Sequence, residues 1–158
     1  MDEAPAIGIV ASDSDWVCAR WRNVLFLVWL GVTTAERAHV ASRVLRETAA
    51  EHEAGIGIVT VVEPNAPPPD GAVRPIFAKG MREHGARIRA CAYVVPQGGF
   101  GGAAVRAAIT GLSLLAREPY PTRTFTSPAT AAEWLDARLG RAIPMPTIVA
   151  AIERARRS

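Results

Sequence analysis

The segment Gly98-Gly99-Phe100-Gly101-Gly102-Ala103-Ala104 holds the residue types best placed to do chemistry in this chain. Gly99 to Ala104 fits the pattern G-x-G-x-x-A. Between a strand and a helix, such a loop lets backbone amides approach a phosphate, with the helix dipole in support. Arg106 adds a cation one turn on, so Gly98, Gly99, Gly101, Gly102 and Arg106 form a candidate site for a small ligand or anion. The full dinucleotide fingerprint asks for more: the first βα unit of the fold, and an acid roughly 20 residues further on. Here the loop follows the penultimate strand, and that region offers Arg123 instead. The glycines have a structural use as well, in a tight turn and close helix packing. Phe100 then either caps the core or stands out as a contact.

Other chemistry is poorly supplied. His39, His52 and His84 are far apart and fall on polar helical faces, and there is no Cys-x-x-Cys, so neither a metal nor a cofactor is expected. Cys18 and Cys91 sit in apolar, strand-like surroundings and read as buried, reduced thiols. The acids near loops, Asp13, Asp15, Glu63 and Asp70, show no evident basic or nucleophilic partner, and no Gly-x-Ser-x-Gly elbow occurs. A receiver-type site fails on placement, because the strand ends give Glu63, Pro96 and Thr126 while Lys79 lies in a helix. The residues therefore point away from an enzyme.

Composition narrows the class. The 158 residues are 49% hydrophobic and 21% charged, enough for one domain with its own core. Net charge is +3, but the 18 basic residues, of which only Lys79 is lysine, are scattered among 15 acids. Only Arg154, Arg156 and Arg157 cluster, and at a helix C-terminus they complement the dipole. No nucleic-acid partner is expected. The acidic start Met1-Asp-Glu-Ala-Pro5 does not resemble a signal peptide. The early apolar run Val24 to Leu30 falls short of the roughly 20 residues a membrane helix needs, so the expectation is a cytoplasmic protein without membrane insertion.

The elements that must position these residues follow from pattern. Ala6 to Ala11 and Trp16 to Trp21 read as a hairpin around Ser12-Asp-Ser-Asp15, with the second run at an edge, and Val24 to Leu30 as a strand buried on both faces. Thr33 and Glu36 are spaced as a capping box for a helix running to about Glu53. Ile56 to Val62 is the next strand. Glu63 to Gly71, with four prolines in nine residues, is a stiff loop, and the helix after it begins near Ala72 to Arg74. Arg87 to Val95 feeds the glycine loop. The helix that follows, ending at Arg117, is apolar nearly all round and reads as an interior one. Pro121 to Thr126 is a last strand, and Ser127-Pro128 starts a helix stopped by Gly140. A tail over residues 142–158 forms one more amphipathic helix through Ile148 and Ile152.

Strands alternating with helices after a hairpin predict an α/β domain over residues 1–141, with a mostly parallel sheet and flanking helices. Sites in such sheets gather beyond the strand C-terminal ends, here at 31–34, 63–74 and 96–102.

This order resembles the SpoIIAA-like, STAS-type domains over roughly residues 6 to 140. The closing phrase carries most of the resemblance, with Phe125 at the end of an apolar strand, Ser127 as cap, then Glu133, Trp134 and Leu135. The resemblance implies a non-catalytic module that binds another protein in regulation or signalling. It also implies a phospho-accepting Ser or Thr at the helix after the central strand. This chain departs there: the counterpart reads Pro69-Asp70-Gly71-Ala72-Val73, and no Ser or Thr occurs from Glu63 to Met81. Asp70 supplies a fixed negative charge at that helix start, as a cap or as a mimic of the phosphorylated state. The expected contact surface is Asp70 and Arg74 with the neighbouring Phe100; whether a second copy of the chain also binds is left open.

Overall fold

A two-residue turn at Arg22 and Asn23 decides how the sheet begins. In the computed structural model, which describes residues 7–157, Gly8–Asp13 (β1), Trp16–Trp21 (β2) and Val24–Trp29 (β3) form an antiparallel meander. Trp21 lies opposite Val24, and Arg22 takes φ of 51°, the left-handed conformation that a tight hairpin turn demands. Asn23 ties this turn to the next strand, its Nδ2 donating to the Gly55 carbonyl at 3.0 Å. From β3 the chain continues in parallel through Ile56–Val62 (β4), Ile88–Val94 (β5) and Thr122–Phe125 (β6), in spatial order β1 to β6. The sheet is therefore mixed, with two antiparallel and three parallel pairings. The expected edge position of Trp16–Trp21 is corrected: β2 is nearly all buried, and β1 forms the exposed edge with a register shift between Ile9 and Ala11. Such an irregularity discourages edge pairing.

Parallel steps that all move the same way, each with a right-handed crossover, put every crossover helix on one face. Ala35–Glu51 (α1), Arg74–Glu83 (α2) and Gly99–Ala116 (α3) share that face. Val44, Leu45, Met81 and Leu112 pack there with Leu25, Leu27, Ile58 and Cys91 of the sheet. Trp16 and Trp29 stack at 5.1 Å between ring centres, and Phe77 meets Trp29 edge-on at 5.8 Å. The opposite face would be bare without the C-terminal quarter. Pro128–Leu139 (α4) and Met145–Arg156 (α5) cover it, burying Leu135, Ile148 and Ile152 against Val17, Phe26 and Val94.

Local signals act as read at most ends. Ser127 caps α4, accepting the Thr130 amide at 3.3 Å, Pro128 opens the helix, and Gly140 closes it in the left-handed conformation. The cap of α1 sits one residue later than expected: Thr34, not Thr33, accepts the Arg37 amide at 3.2 Å. Thr33 is instead buried.

The reading of α3 as an interior helix is overturned. Only Gly102, Val105, Ala108, Leu112 and Ala116 of its 18 residues are buried. The helix packs beside α2 and sends Leu112 and Ala116 into the core shared with the sheet, while Phe100, Leu114 and Leu115 stay exposed. An all-round apolar composition cannot distinguish a surrounded helix from one with a bare face.

Candidate functional site

Helix α3 carries the two most exposed large hydrophobic side chains among the described residues. Phe100 is 98% exposed and Leu114 75%, with Leu115 exposed between Leu114 and the buried Ala116. Ala103, Ala104 and Ala107 continue the surface, and the helix carries no acid and a single cation, Arg106. Among the described residues α3 is the one helix long and apolar enough, by length and composition alone, to cross a membrane. Its buried stripe belongs to the core of this domain. Single exposed hydrophobic residues need no explanation, whereas a contiguous patch on one helix face marks a contact surface.

The glycine loop opens this helix. Gly99 has φ of 66°, reserved in practice for glycine. A Cβ on Gly102 would lie 2.0 Å from the Gln97 carbonyl oxygen, and one on Gly101 equally close to the Gln97 side-chain amide. Gln97 thus occupies the space beside both glycines. Arg106 Nη1 also turns to the Gln97 carbonyl, at 3.4 Å, and Gly98 is solvent-exposed. The loop brings together the five residues singled out for a ligand or anion, with Gln97 seated among them.

Asp70 and Arg74 lie across α2 from that loop in the chain and are both engaged locally. Asp70 Oδ1 accepts the amides of Ala72 at 2.9 Å and Val73 at 3.1 Å, closing a turn ahead of α2, whose own N-cap residue Val73 makes no side-chain cap bond. Arg74 Nε donates to the Pro69 carbonyl at 3.0 Å. Together they set the shape of the proline-rich loop, whose Pro67 and Pro69 share a cavity wall with Val105 and Ile109 of α3. The loop and α3 therefore share that wall, which includes none of Asp70, Arg74 and Phe100.

That cavity, about 80 Å³, lies between the sheet and helices α1, α2 and α3. Its wall is aliphatic and aromatic apart from Thr33, Ser42, Thr60, Cys91 and Tyr93. Sequence reasoning missed it. The available signal was Thr60, the single polar residue in the strand Ile56–Val62.

Three of the four acids judged to lack a basic partner, Asp13, Asp15 and Glu63, are paired in the fold, while Asp70 bonds only to backbone amides. Arg37 Nε donates to Asp13 Oδ2 at 3.0 Å, its guanidinium lies 3.3 Å from Asp15, and its Nη1 donates to the Val32 carbonyl at 2.8 Å. Partial desolvation pushes Asp13 up, but the Asp15 amide and the Arg37 guanidinium outweigh it and hold the carboxyl below its usual value. Glu63 reaches Arg156 at 3.7 Å. Burial pushes the Cys18 thiol up to about 12 and raises Cys91 further, so both are neutral, poor nucleophiles near pH 7. Both cysteines are free. Among the described residues no group of three or more His, Cys, Asp or Glu side chains could hold a metal ion.

No family model, curated protein or solved structure matches the chain.

Proposed function

We propose that this chain is a non-catalytic protein-interaction module of regulatory type, whose contact surface is the outer face of α3 rimmed by the proline-rich loop. The observation that carries this reading is the exposure of Phe100 and Leu114, at 98% and 75%, on a helix face without a single acid. Apolar surface left in water forgoes about 25 cal/mol per Å² that burial against a partner would recover. An aromatic anchor at one end and leucines at the other, with alanines between, suits docking into a partner's groove. Asp70 and Arg74 contribute by holding the rim in shape through their bonds to its backbone.

The resemblance to SpoIIAA-like domains supports the same reading, since those domains act on protein partners. The sheet with its N-terminal meander and the cap and helix at Ser127 to Leu135 are what we assign to that arrangement. With Asp70 in place of a phospho-acceptor, binding at this surface is not gated by phosphorylation at the start of α2.

A photo-crosslinking residue placed at Leu114, compared with one at the exposed Arg138 of α4, tests the surface in an extract of the host cell. One polypeptide should crosslink from Leu114 and not from Arg138. Adducts of twice the chain mass would identify that polypeptide as a second copy. Equal labelling from both positions, or none from Leu114, would remove α3 as the contact face.

A further inference from the structure

We propose that the cavity between the sheet and helices α1, α2 and α3 binds a small neutral amphiphile, a short aliphatic body carrying one hydrogen-bonding head such as a hydroxyl. This goes beyond the protein-interaction reading and does not depend on it.

Size and wall chemistry set the body. A void of about 150 Å³ lined by aliphatic and aromatic side chains stays dry and takes up benzene. At about 80 Å³, this one has room for a body of roughly three or four carbons. Water can bond at the hydroxyl-bearing end, but each molecule needs two to four polar partners and the aliphatic remainder of the wall offers none, which leaves that part to an apolar body.

Two hydroxyls set the head. Thr33 and Thr60 line the cavity, each is only 8% exposed, and neither side chain has a hydrogen-bond partner among the described residues. Both oxygens stay accessible to the space they line, whereas Thr48, buried in the same layer, donates to the Val44 carbonyl at 2.6 Å. Thr60 sits in β4 between Leu27 and Tyr93, and Thr33 follows the end of β3, so both hydroxyls lie towards the carboxyl ends of the parallel strands, where α/β sheets place their ligands.

Charge completes the specification. No Asp, Glu, Lys, Arg or His lines the cavity, and burial keeps the lining Cys91 and Tyr93 protonated. A carboxylate or ammonium head would lie buried without a counter-ion. The head is therefore neutral, and threonine hydroxyls can both donate to it and accept from it. Entry lies beneath the proline-rich loop, where Pro67, on the cavity wall, is also exposed.

Titration with n-butanol, followed by methyl NMR of the full chain, tests the site. Saturable shifts should be confined to methyls that line the cavity, those of Thr33, Thr60, Val105 and Leu112 among them. Thr60→Val keeps the shape but removes one hydroxyl, and should weaken binding about tenfold, the factor that accompanies one buried hydrogen bond. Ala108→Leu should fill the void and abolish the titration; if that variant does not fold, Thr60→Val decides. Shifts that grow without saturating, that spread over the surface, or that Thr60→Val leaves unchanged would overturn the proposal.

Discussion

The Asp70 carboxylate is turned onto its own backbone, and that decides what its loss should do. Replacing it by alanine leaves the amides of Ala72 and Val73 without their acceptor, so Asp70→Ala should cost about 1 kcal/mol, the scale of a lost hydrogen bond. In a chain of this length that is a fall in Tm of roughly 2–4 °C by calorimetry. A larger fall would mean that Asp70 supports more than its loop. Asp70 could be picked out from sequence because a carboxylate's bonds to the amides that follow it are local chemistry, although it closes the turn before α2 and does not cap the helix itself. Thr33 and Thr34 could not be told apart, since adjacent threonines offer the same hydroxyl and only the path of the chain selects one. The pairing of Arg37 with Asp13 and Asp15 escaped for a related reason: the partners are 24 and 22 positions apart, and only the β1–β2 turn delivers the acids to α1.

At the level of elements, the faces of α3 should behave oppositely under substitution. Leu112 is buried among sheet and helix residues, and Leu112→Ala should cost about 2–5 kcal/mol by removing core volume. Leu114 projects outward, and Leu114→Gln should change stability by less than about 0.5 kcal/mol, as surface substitutions do. Urea unfolding of the two variants checks both. Comparable losses would show that the outer face packs on something within the chain. The boundaries of α3, its glycine start and its stop were legible because turn residues and proline punctuate locally. Its exposure was not. Burial on the far side of a helix depends on whether later elements fold back over it, and here α4 and α5 cover the other face of the sheet instead. The same limit hid the antiparallel pairing of β3 with β2, which rests on the turn at Arg22, a position whose residue type does not announce a left-handed conformation.

For the molecule as a whole, acid should be destabilising through a few identifiable carboxylates. Hydrogen bonding and charge from Arg20 lower Glu51, while the Asp15 amide and Arg37 lower Asp13 against a desolvation that would raise it. Carboxyls depressed in the folded state contribute above their unfolded value and lose that contribution as pH falls through the folded one. The urea midpoint should therefore stay level from neutral pH to about 5 and decline below about 4, and Arg37→Met should flatten part of the decline. The decline should be modest, since both pairs are solvent-exposed. A midpoint that rises on acidification would contradict these assignments. The central claim concerns the face that the fold leaves bare, and native mass spectrometry of the chain captured gently from its host tests it most directly. The wild-type chain should carry a stoichiometric polypeptide that is absent from the Phe100→Asp, Leu114→Asp double variant, while circular dichroism shows the two equally folded. A polypeptide retained by that folded variant, or a wild-type chain that always flies alone, would contradict the claim.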